Sequence, residues 1–334
     1  MMGLRSNIMA LLILPLLLWL ASTSKGQSVF DVTTYGAKPN TDITQALANA
    51  WKDACASTIP SKLLIPEGVY QLNQSNLNGH CKSSIEVQVE GTLQAPLDPI
   101  GDGLNVTFQN VTIIAPENSP NTDGIHVSSS EEIKILNTQI STGDDCVSVG
   151  DSNKQITITN VTCGPGHGIS VGSLGKYTKE KEVAGVMVNK CKLINTSNGV
   201  RIKTWPDSAG VYPATDLHFE DIEMVNVSNP IIIDQEYCPS NHCNKNIPSK
   251  IKISNVSFKN IRGTCVTPVA IKFVCSKDVA CEGVKVTDID LTYIGSRGPI
   301  TSQCANVLNP IITGKQNPRA CAEAAPINAP PSTD

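Results

Sequence analysis

The sequence is poor in aromatic residues and in charge. Phe, Trp and Tyr make up only 4% of the 334 residues and charged residues 17%, so we expect a core of aliphatic side chains. A chain of this length can bury a sizeable core, as one large domain or two smaller ones. The formal net charge of −4 argues against a general nucleic-acid binder. Any site for an anion must therefore be a local basic cluster.

Long apolar runs are also lacking, except at the N-terminus. Arg5 precedes an apolar run over residues 8–21, and small residues follow it. This pattern predicts a secretory signal peptide over residues 1–26. A membrane anchor is the alternative, but the run is short for a span of about 20 residues. No later run is long enough, so we expect a secreted protein without a membrane segment.

The cysteines lack the short paired spacings with histidine that zinc sites use. Twelve cysteines in a secreted chain predict disulfides instead, and Cys238 with Cys243 and Cys275 with Cys281 are close enough to clip loops. Asn-x-Ser/Thr sites are glycan acceptors if they are exposed. Such sites occur at Asn73, Asn105, Asn110, Asn160, Asn195, Asn226 and Asn255.

From Leu104 onward the sequence repeats one short template. Each copy is a short strand, a polar turn residue and another short strand. A β-sandwich would use hairpins with two-residue turns, and those signals are scarce. The repeat therefore predicts a solenoid of parallel strands, with coils about 4.8 Å apart. The predicted turn residues are Asn110, Asn137, Asn160, Lys190, Asp221, Asn255 and Asp288.

The ends of the solenoid differ from its middle. Apolar residues at helical spacing predict an amphipathic helix near residues 43–55, which Thr41 or Asp42 can cap. Such a helix would close one open end of the stack. We expect the segment after Pro310 to be loop or disordered.

Reactive side chains recur at the interval of the repeat. Asp123, the adjacent Asp144 and Asp145, and His167 are spaced so that stacked coils would align them on one face. Crowded carboxylates cannot all ionise, so one retains a proton. One can then act as general acid and another can activate water, as glycoside hydrolysis requires.

Arg201, Lys203 and Tyr237 continue the same stripe on later coils. A guanidinium pairs well with a carboxylate, so the basic pair favours an anionic sugar as substrate.

Four segments resemble the motifs of the polygalacturonase family of glycoside hydrolases, and the resemblance runs from about Phe30 to Cys321. It implies an all-β fold, a single right-handed parallel β-helix (solenoid) over residues 27–321 with an N-terminal capping helix. Residues 322–334 are then a disordered tail. The segments are Ser119-Pro-Asn-Thr-Asp-Gly-Ile-His126, Gly143-Asp-Asp-Cys146, Cys163-Gly-Pro-Gly-His-Gly-Ile-Ser170 and Arg201-Ile-Lys203.

The resemblance also implies site roles. Asp144 matches the general acid, Asp123 and Asp145 match the pair that activates water, and His167 matches the histidine that tunes the acid. For substrate binding it implies Arg201, Lys203, Tyr237 and Asn121. It implies inversion of configuration, no cofactor and no metal.

Adjacent residues on a regular strand point to opposite faces, so the backbone must bend for Asp144 and Asp145 to share one groove. Gly143 permits such a bend. A Cys146–Cys163 disulfide could hold it against the His167 loop. Inversion predicts that the carboxyl groups of Asp123 and Asp144 lie about 6.5–9.5 Å apart.

The segments Arg201-Ile-Lys-Thr-Trp-Pro206 and Ile233-Asp-Gln-Glu-Tyr-Cys-Pro239 resemble plant exopolygalacturonases, particularly those of pollen. This implies a monomeric, secreted cell-wall enzyme that removes single galacturonic acids from the non-reducing end of pectin. An endo-acting or branched-substrate pectin hydrolase is the alternative. A lyase is disfavoured, because pectate lyases depend on calcium and a proton-abstracting basic residue.

The chain departs from the family near residues 94–118, where several coils are missing. Those coils build the groove wall on the Asp123 side. The departure raises a second alternative, a vestigial protein that binds pectin without cleaving it.

Overall fold

The computed structural model describes residues 27–73, 75, 77, 81–94 and 106–321. The predicted signal peptide (1–26) and the predicted tail (322–334) lie outside the described residues. Within the described part, the helices are the α-helix α1 (Thr44–Ala56) and a 3₁₀ turn over Val32–Tyr35. None of the helices in this part is long and apolar enough to cross a membrane.

The strands, numbered along the chain, all pair in parallel. Two small sheets lie at the N-terminal end. The first contains β1 (Ser28–Asp31), β2 (Ser61–Ile65) and β4 (Ile85–Val89), and the second contains β3 (Val69–Gln71) and β5 (Thr92–Gln94).

Two larger sheets carry the rest of the described chain. The back sheet has 13 strands: β6 (Thr107–Gln109), β7 (Thr112–Ile114), β9 (Lys134–Leu136), β10 (Gln139–Ser141), β12 (Lys154–Thr159), β13 (Thr162–Cys163), β15 (Val183–Asn189), β16 (Lys192–Ile194), β18 (Pro213–Val227), β20 (Lys252–Cys265), β22 (Cys281–Tyr293), β24 (Val307–Leu308) and β25 (Ile311–Asn317). The floor sheet has seven: β8 (Ile125–Val127), β11 (Val147–Val149), β14 (Ile169–Leu174), β17 (Asn198–Thr204), β19 (Asn229–Asp234), β21 (Val269–Val274) and β23 (Thr301–Ala305).

The register between strands explains why the chain coils. Ile156 pairs with Val186, Val186 with Leu217, and Leu217 with Val256, each one coil further along. All four side chains are fully buried in the core, so every coil buries its apolar face against the next. The parallel β-helix predicted from the repeat is confirmed.

Most of the turns between or within the back-sheet strands carry asparagine or aspartate. Asn137, Asn160 and Asp221 have φ values of 50°, 56° and 53°, in the left-handed region that these residues tolerate better than most. The amide Nδ2 of Asn160 donates to Asn137 Oδ1 at 2.8 Å, so the turns also bond to one another along the stack.

One predicted turn was out of register. Lys259 pairs with Glu220, which places Asn260, not Asn255, beside Asp221. The Asn260 amide donates to Asp221 Oδ1 at 2.6 Å. Asn255 lies in an earlier turn of the same coil, and because both turns carry an asparagine, the template matched the wrong one.

The N-terminal helix agrees with its prediction. Ala46, Leu47 and Ala50 of α1 are buried, and α1 packs on β1 and β2. Asp42 Oδ1 accepts a hydrogen bond from the Thr44 backbone N–H at 2.9 Å, which satisfies one free donor of the first turn.

The segment after Pro310 was predicted as loop or disorder, and for residues 311–317 this is wrong. Residues Ile311–Asn317 form β25, which pairs with β22. Only one side of this edge strand faces the protein, and Ile311 is 51% exposed. The strand therefore carries little of the apolar alternation on which sequence prediction depends.

Ten of the twelve cysteines form disulfides, and Cys191 and Cys265 are free and buried. Burial raises the pKa of the Cys191 thiol to about 12 and that of Cys265 to about 11, so both stay protonated. The bonded pairs are Cys55–Cys81, Cys146–Cys163, Cys238–Cys243, Cys275–Cys281 and Cys304–Cys321.

The core is mostly Ile, Val and Leu, but three of the few aromatic residues stack at its centre. The ring of Phe258 lies 5.2 Å from Phe219 and 5.4 Å from Phe273, measured between centroids. This stack spans both large sheets and joins them.

Phe258→Ala is expected to lower the free energy of unfolding by about 3–5 kcal/mol, because it leaves a cavity between two buried rings. Guanidinium unfolding followed by circular dichroism measures the loss. Ile311→Ala, at a position 51% exposed, is the control and should change stability by less than about 1 kcal/mol. Equal losses in the two variants would contradict a core centred on the stack.

Candidate active site

The acidic residues of the stripe come from adjacent turns that lead into the floor sheet. Asp123 precedes β8, Asp144 and Asp145 precede β11, and His167 precedes β14. The turns are bonded directly: Gly124 N–H donates to the Asp145 carbonyl at 2.9 Å, and His167 N–H donates to the Asp144 carbonyl at 2.7 Å. Side chains far apart in sequence are thus held together by the backbone.

The aspartate pair sits in a bend outside the strands, and Gly143 has a specific reason to be glycine there. A Cβ at this position would collide with the backbone oxygen of Ser119 on the previous coil. Glycine is therefore required at position 143 because two neighbouring coils of the backbone approach each other closely there. The disulfide between Cys146 and Cys163 joins this bend to the turn that carries His167.

Asp145 is buried and fully paired, with 2% of its side chain exposed. Its Oδ1 accepts from Ser170 Oγ at 2.8 Å and Arg201 at 3.0 Å, and its Oδ2 accepts from Lys203 Nζ at 2.8 Å. Both carboxylate oxygens are occupied by charged or hydroxyl donors. With this geometry, Asp145 is better placed to hold the two cations than to accept a proton from water.

Asp123 is placed differently, with 27% of its side chain exposed. Its Oδ2 accepts from Ser148 Oγ at 2.5 Å, and no donor among the described residues is bonded to its Oδ1. Burial alone would raise the pKa of Asp123. The contacts of His126 and Ser148 and the positive charge of Lys203 outweigh burial and hold that pKa below its ordinary value. Asp123 is thus an ionised carboxylate with one open oxygen.

Asp144 contacts the histidine of the stripe. His167 Nδ1 lies 2.7 Å from Asp144 Oδ1, which also accepts from the Asp145 backbone N–H at 2.8 Å. With 22% of its side chain exposed, Asp144 can reach a ligand in the groove. Both of these contacts are to Oδ1, so Oδ2 of Asp144 is left to interact with a ligand.

The three carboxylates of the site lie close together. One oxygen each of Asp123, Asp144 and Asp145 lies within 4.8 Å of the others. The predicted about 6.5–9.5 Å separates whole carboxyl groups, which is a different distance, so that separation stays a prediction. A water molecule about 2.8 Å from each of two such oxygens can bond to both.

The same three aspartates are the one group among the described residues whose spacing could hold a metal ion. Arg201 and Lys203 already occupy both oxygens of Asp145, and their charges oppose a cation. The donor set therefore suits an ion-paired acid cluster better than a metal centre.

Tyr237 covers the cations. Its ring centroid lies 5.2 Å from Lys203 Nζ and 5.8 Å from Arg201 Cζ, within cation–π range. Burial raises the pKa of Tyr237, so its hydroxyl remains a donor. Trp205, which the sequence analysis did not single out, packs edge-on against this ring at 5.7 Å.

Asn121 is the one predicted site residue that stands apart. It is exposed in the left-handed region at φ 51°, and no hydrogen bond joins its side chain to the other site residues described. Its place is consistent with a turn that aims Asp123.

Two open depressions adjoin these residues. One, of about 530 Å³, is lined by His167, Gly143 and Asn195 among others. The other, of about 300 Å³, is lined by Arg201 and Tyr237 among others. The acidic cluster thus lies beside space large enough for ligand groups.

Known proteins are similar to this chain over most of its length. The profile of glycosyl hydrolases family 28 matches residues 99–313. A polygalacturonase of Nicotiana tabacum is 45% identical over 383 aligned positions, covering 92% of this chain and 96% of that protein. An exopolygalacturonase of Oenothera organensis is 43% identical over 360 aligned positions, covering 85% of this chain and 99% of that protein. The crystal structure of an exopolygalacturonase from Thermotoga maritima matches with a TM-score of 0.49 and 14% sequence identity, covering 86% of this chain and 92% of that protein.

The alignments leave positions of the relatives without a counterpart in this chain. Since 92% of 334 residues is about 307, the alignment of 383 positions with the tobacco protein has a total gap of about 76 positions in this chain. For the Oenothera protein, 85% is about 284 of 360 positions, which gives the same total. The predicted deletion, near residues 94–118, includes residues 95–105 outside the described part. Within the described part, β8 pairs with β11 and with no other strand of the floor sheet.

Asp145→Asn is expected to cost about 3–5 kcal/mol of stability, because it removes the charged carboxylate to which the buried Arg201 and Lys203 are bonded. Asp123→Asn, at a partly exposed carboxylate, should cost about 1 kcal/mol or less. Guanidinium unfolding at neutral pH compares the two. If Asp123→Asn were the more destabilising change, the division of roles between the two aspartates would be wrong.

Proposed function

Since the chain belongs to the glycosyl hydrolases family 28, we propose that it hydrolyses the α-1,4-galacturonosyl linkages of pectin. In this proposal the enzyme inverts configuration and removes single galacturonate units from the non-reducing end. One observation carries it: three carboxylates within 4.8 Å of one another stand beside a buried pair of cations.

Asp144 is the proposed general acid. The contact between His167 Nδ1 and Asp144 Oδ1 fixes the carboxyl group and leaves its other oxygen towards the groove. A proton on that oxygen can pass to the glycosidic oxygen as the bond breaks.

Asp123 is the proposed base. It is ionised, it has an open oxygen, and a water bound there also lies within reach of a second carboxylate. Removing a proton from that water lets its oxygen attack the anomeric carbon opposite the leaving group. Asp145, expected to share this work, is assigned here to holding Arg201 and Lys203.

Arg201 and Lys203 are the proposed partners of the substrate carboxylate. Asp145 uses only some of their N–H groups, and the Tyr237 ring lies across both cations. A galacturonate carboxylate beside them would form charge-assisted hydrogen bonds. Neutral sugars would lose these bonds, which gives a physical basis for a preference for acidic pectin.

Exo action and a role in the cell wall are proposed from the named relatives and from the disulfides. Proteins named exopolygalacturonase from Oenothera organensis and Platanus acerifolia are 43% and 42% identical to this chain. The disulfides support an oxidising, extracellular location.

A second candidate function is pectin binding without cleavage. The gap of about 76 positions and the single strand partner of β8 favour it, because the groove would lack the coils on the Asp123 side.

The central assay measures reducing ends released from polygalacturonate by the parent and by Asp144→Asn. Loss of the general acid should lower kcat by about 10²–10⁴-fold. Asp290→Asn, at an aspartate of the back sheet, is the control and should keep the parent rate. If neither parent nor Asp144→Asn releases reducing ends while both bind pectin, the binding function replaces the hydrolase.

Chromatography of the products tests the mode of cleavage. Exo action predicts monomeric galacturonate from the first time points, and mixed oligomers would show endo action instead. Activity should persist in a chelator and yield saturated products. A calcium requirement with unsaturated products would identify a lyase and contradict the proposal.

A further inference from the structure

We propose that His126 and Ser148 form a relay that positions Asp123 for the activation of water. They are positioning residues, because they act through Asp123. The inference rests on the proposed function for its catalytic meaning, but the relay itself is defined by contacts between three side chains.

The register of the floor sheet creates the relay. His126 of β8 and Ser148 of β11 are direct partners in the parallel ladder. Ser148 Oγ lies 2.5 Å from Asp123 Oδ2 and 2.6 Å from His126 Nδ1. The hydroxyl has a single hydrogen, which it donates to the carboxylate. It must therefore accept from His126, so the Nδ1 atom carries a proton.

The relay orients Asp123 through contacts to one of its two carboxylate oxygens. Ser148 bonds to Oδ2, and His126 Nδ1 lies 3.6 Å from the same atom. The other oxygen, Oδ1, remains open to a water. The next residue in the same row, Ser170, donates to Asp145 instead. Ser148 and Ser170, which are partners in neighbouring strands, thus bond to different aspartates.

Charges around Asp123 set the direction of the effect. His126 and Lys203 favour its ionised form, while burial and the neighbouring Asp144 and Asp145 carboxyls oppose it. Deleting a relay member removes a favourable contact and leaves the opposing ones. The pKa of Asp123 should then rise, and the base should be protonated over a wider acidic range.

A structural role explains His126 poorly. Its side chain is 57% exposed on β8, so little packing is lost if it is removed. Ser148 is only 2% exposed, but replacement by alanine removes a single oxygen. Both positions can therefore be changed with little expected cost to the fold.

The chain contains a matched control pair. His218 of β18 and Ser257 of β20 are also direct ladder partners, with Nδ1 and Oγ 2.7 Å apart. His218 Nε2 lies 2.9 Å from Asp216 Oδ1, so this pair also has a carboxylate. It belongs to the back sheet and not to the floor sheet that carries the acidic cluster.

The experiment measures kcat/KM against pH on polygalacturonate for Ser148→Ala, His126→Ala and the control His218→Ala. In the two relay variants, the acidic limb of the kcat/KM profile should shift to higher pH by about 1 unit. Ser148→Thr keeps the hydroxyl and should restore the parent limb. The control should leave it unmoved. The relay is overturned if the relay variants keep the parent limb, or if the control shifts as far as they do.

A second measurement keeps the relay testable if the parent does not hydrolyse pectin. Carbon-13 NMR of aspartate carboxyls, with Asp123→Asn used to assign the signal, gives the titration midpoint of Asp123 directly. A higher midpoint in Ser148→Ala supports the relay even when the hydrolase function fails. An unchanged midpoint refutes the relay even when the parent is active.

Discussion

The parallel register of the floor sheet is the constraint on which the site depends. Each residue lies beside its counterpart one coil away, so Asp123, Asp144 and His167 meet although more than 20 residues separate neighbours in sequence. The order of the coils is maintained by the buried aliphatic rows that pair through the back sheet. The geometry of the candidate site and the packing of the core are therefore consequences of the same ladder.

Crowding three carboxylates has an electrostatic cost, and the structure offsets it unevenly. Asp145 receives both cations and becomes a buried counter-ion, whereas Asp123 receives a hydroxyl and a histidine and keeps an open oxygen. Two chemically identical side chains are thereby given different tasks by their neighbours. Tyr237 adds an apolar cover over the cations and strengthens their local field.

Much of the fold could be predicted from the sequence, because its patterns repeat or are local. The solenoid of parallel strands followed from the repeat, the helix near residues 43–55 from its apolar periodicity, and the pairs Cys238–Cys243 and Cys275–Cys281 from their close spacing. The turn at Asn260 could not, because Asn255 fits the same template and only strand pairing separates them. The contact between Ser148 and Asp123 was hidden for a related reason. A serine in a strand has no distinguishing signal until the ladder shows which carboxylate it faces.

In the proposed mechanism, a water held by one carboxylate attacks the sugar while another carboxyl group protonates the leaving oxygen. Proton NMR of the first products of polygalacturonate cleavage tests this directly, because it reads the anomeric configuration before mutarotation. Attack by a water at Asp123 predicts that the β-anomer appears first from the α-linked substrate. The α-anomer first would mean a covalent intermediate and retention, and would contradict the roles assigned to Asp123 and Asp144.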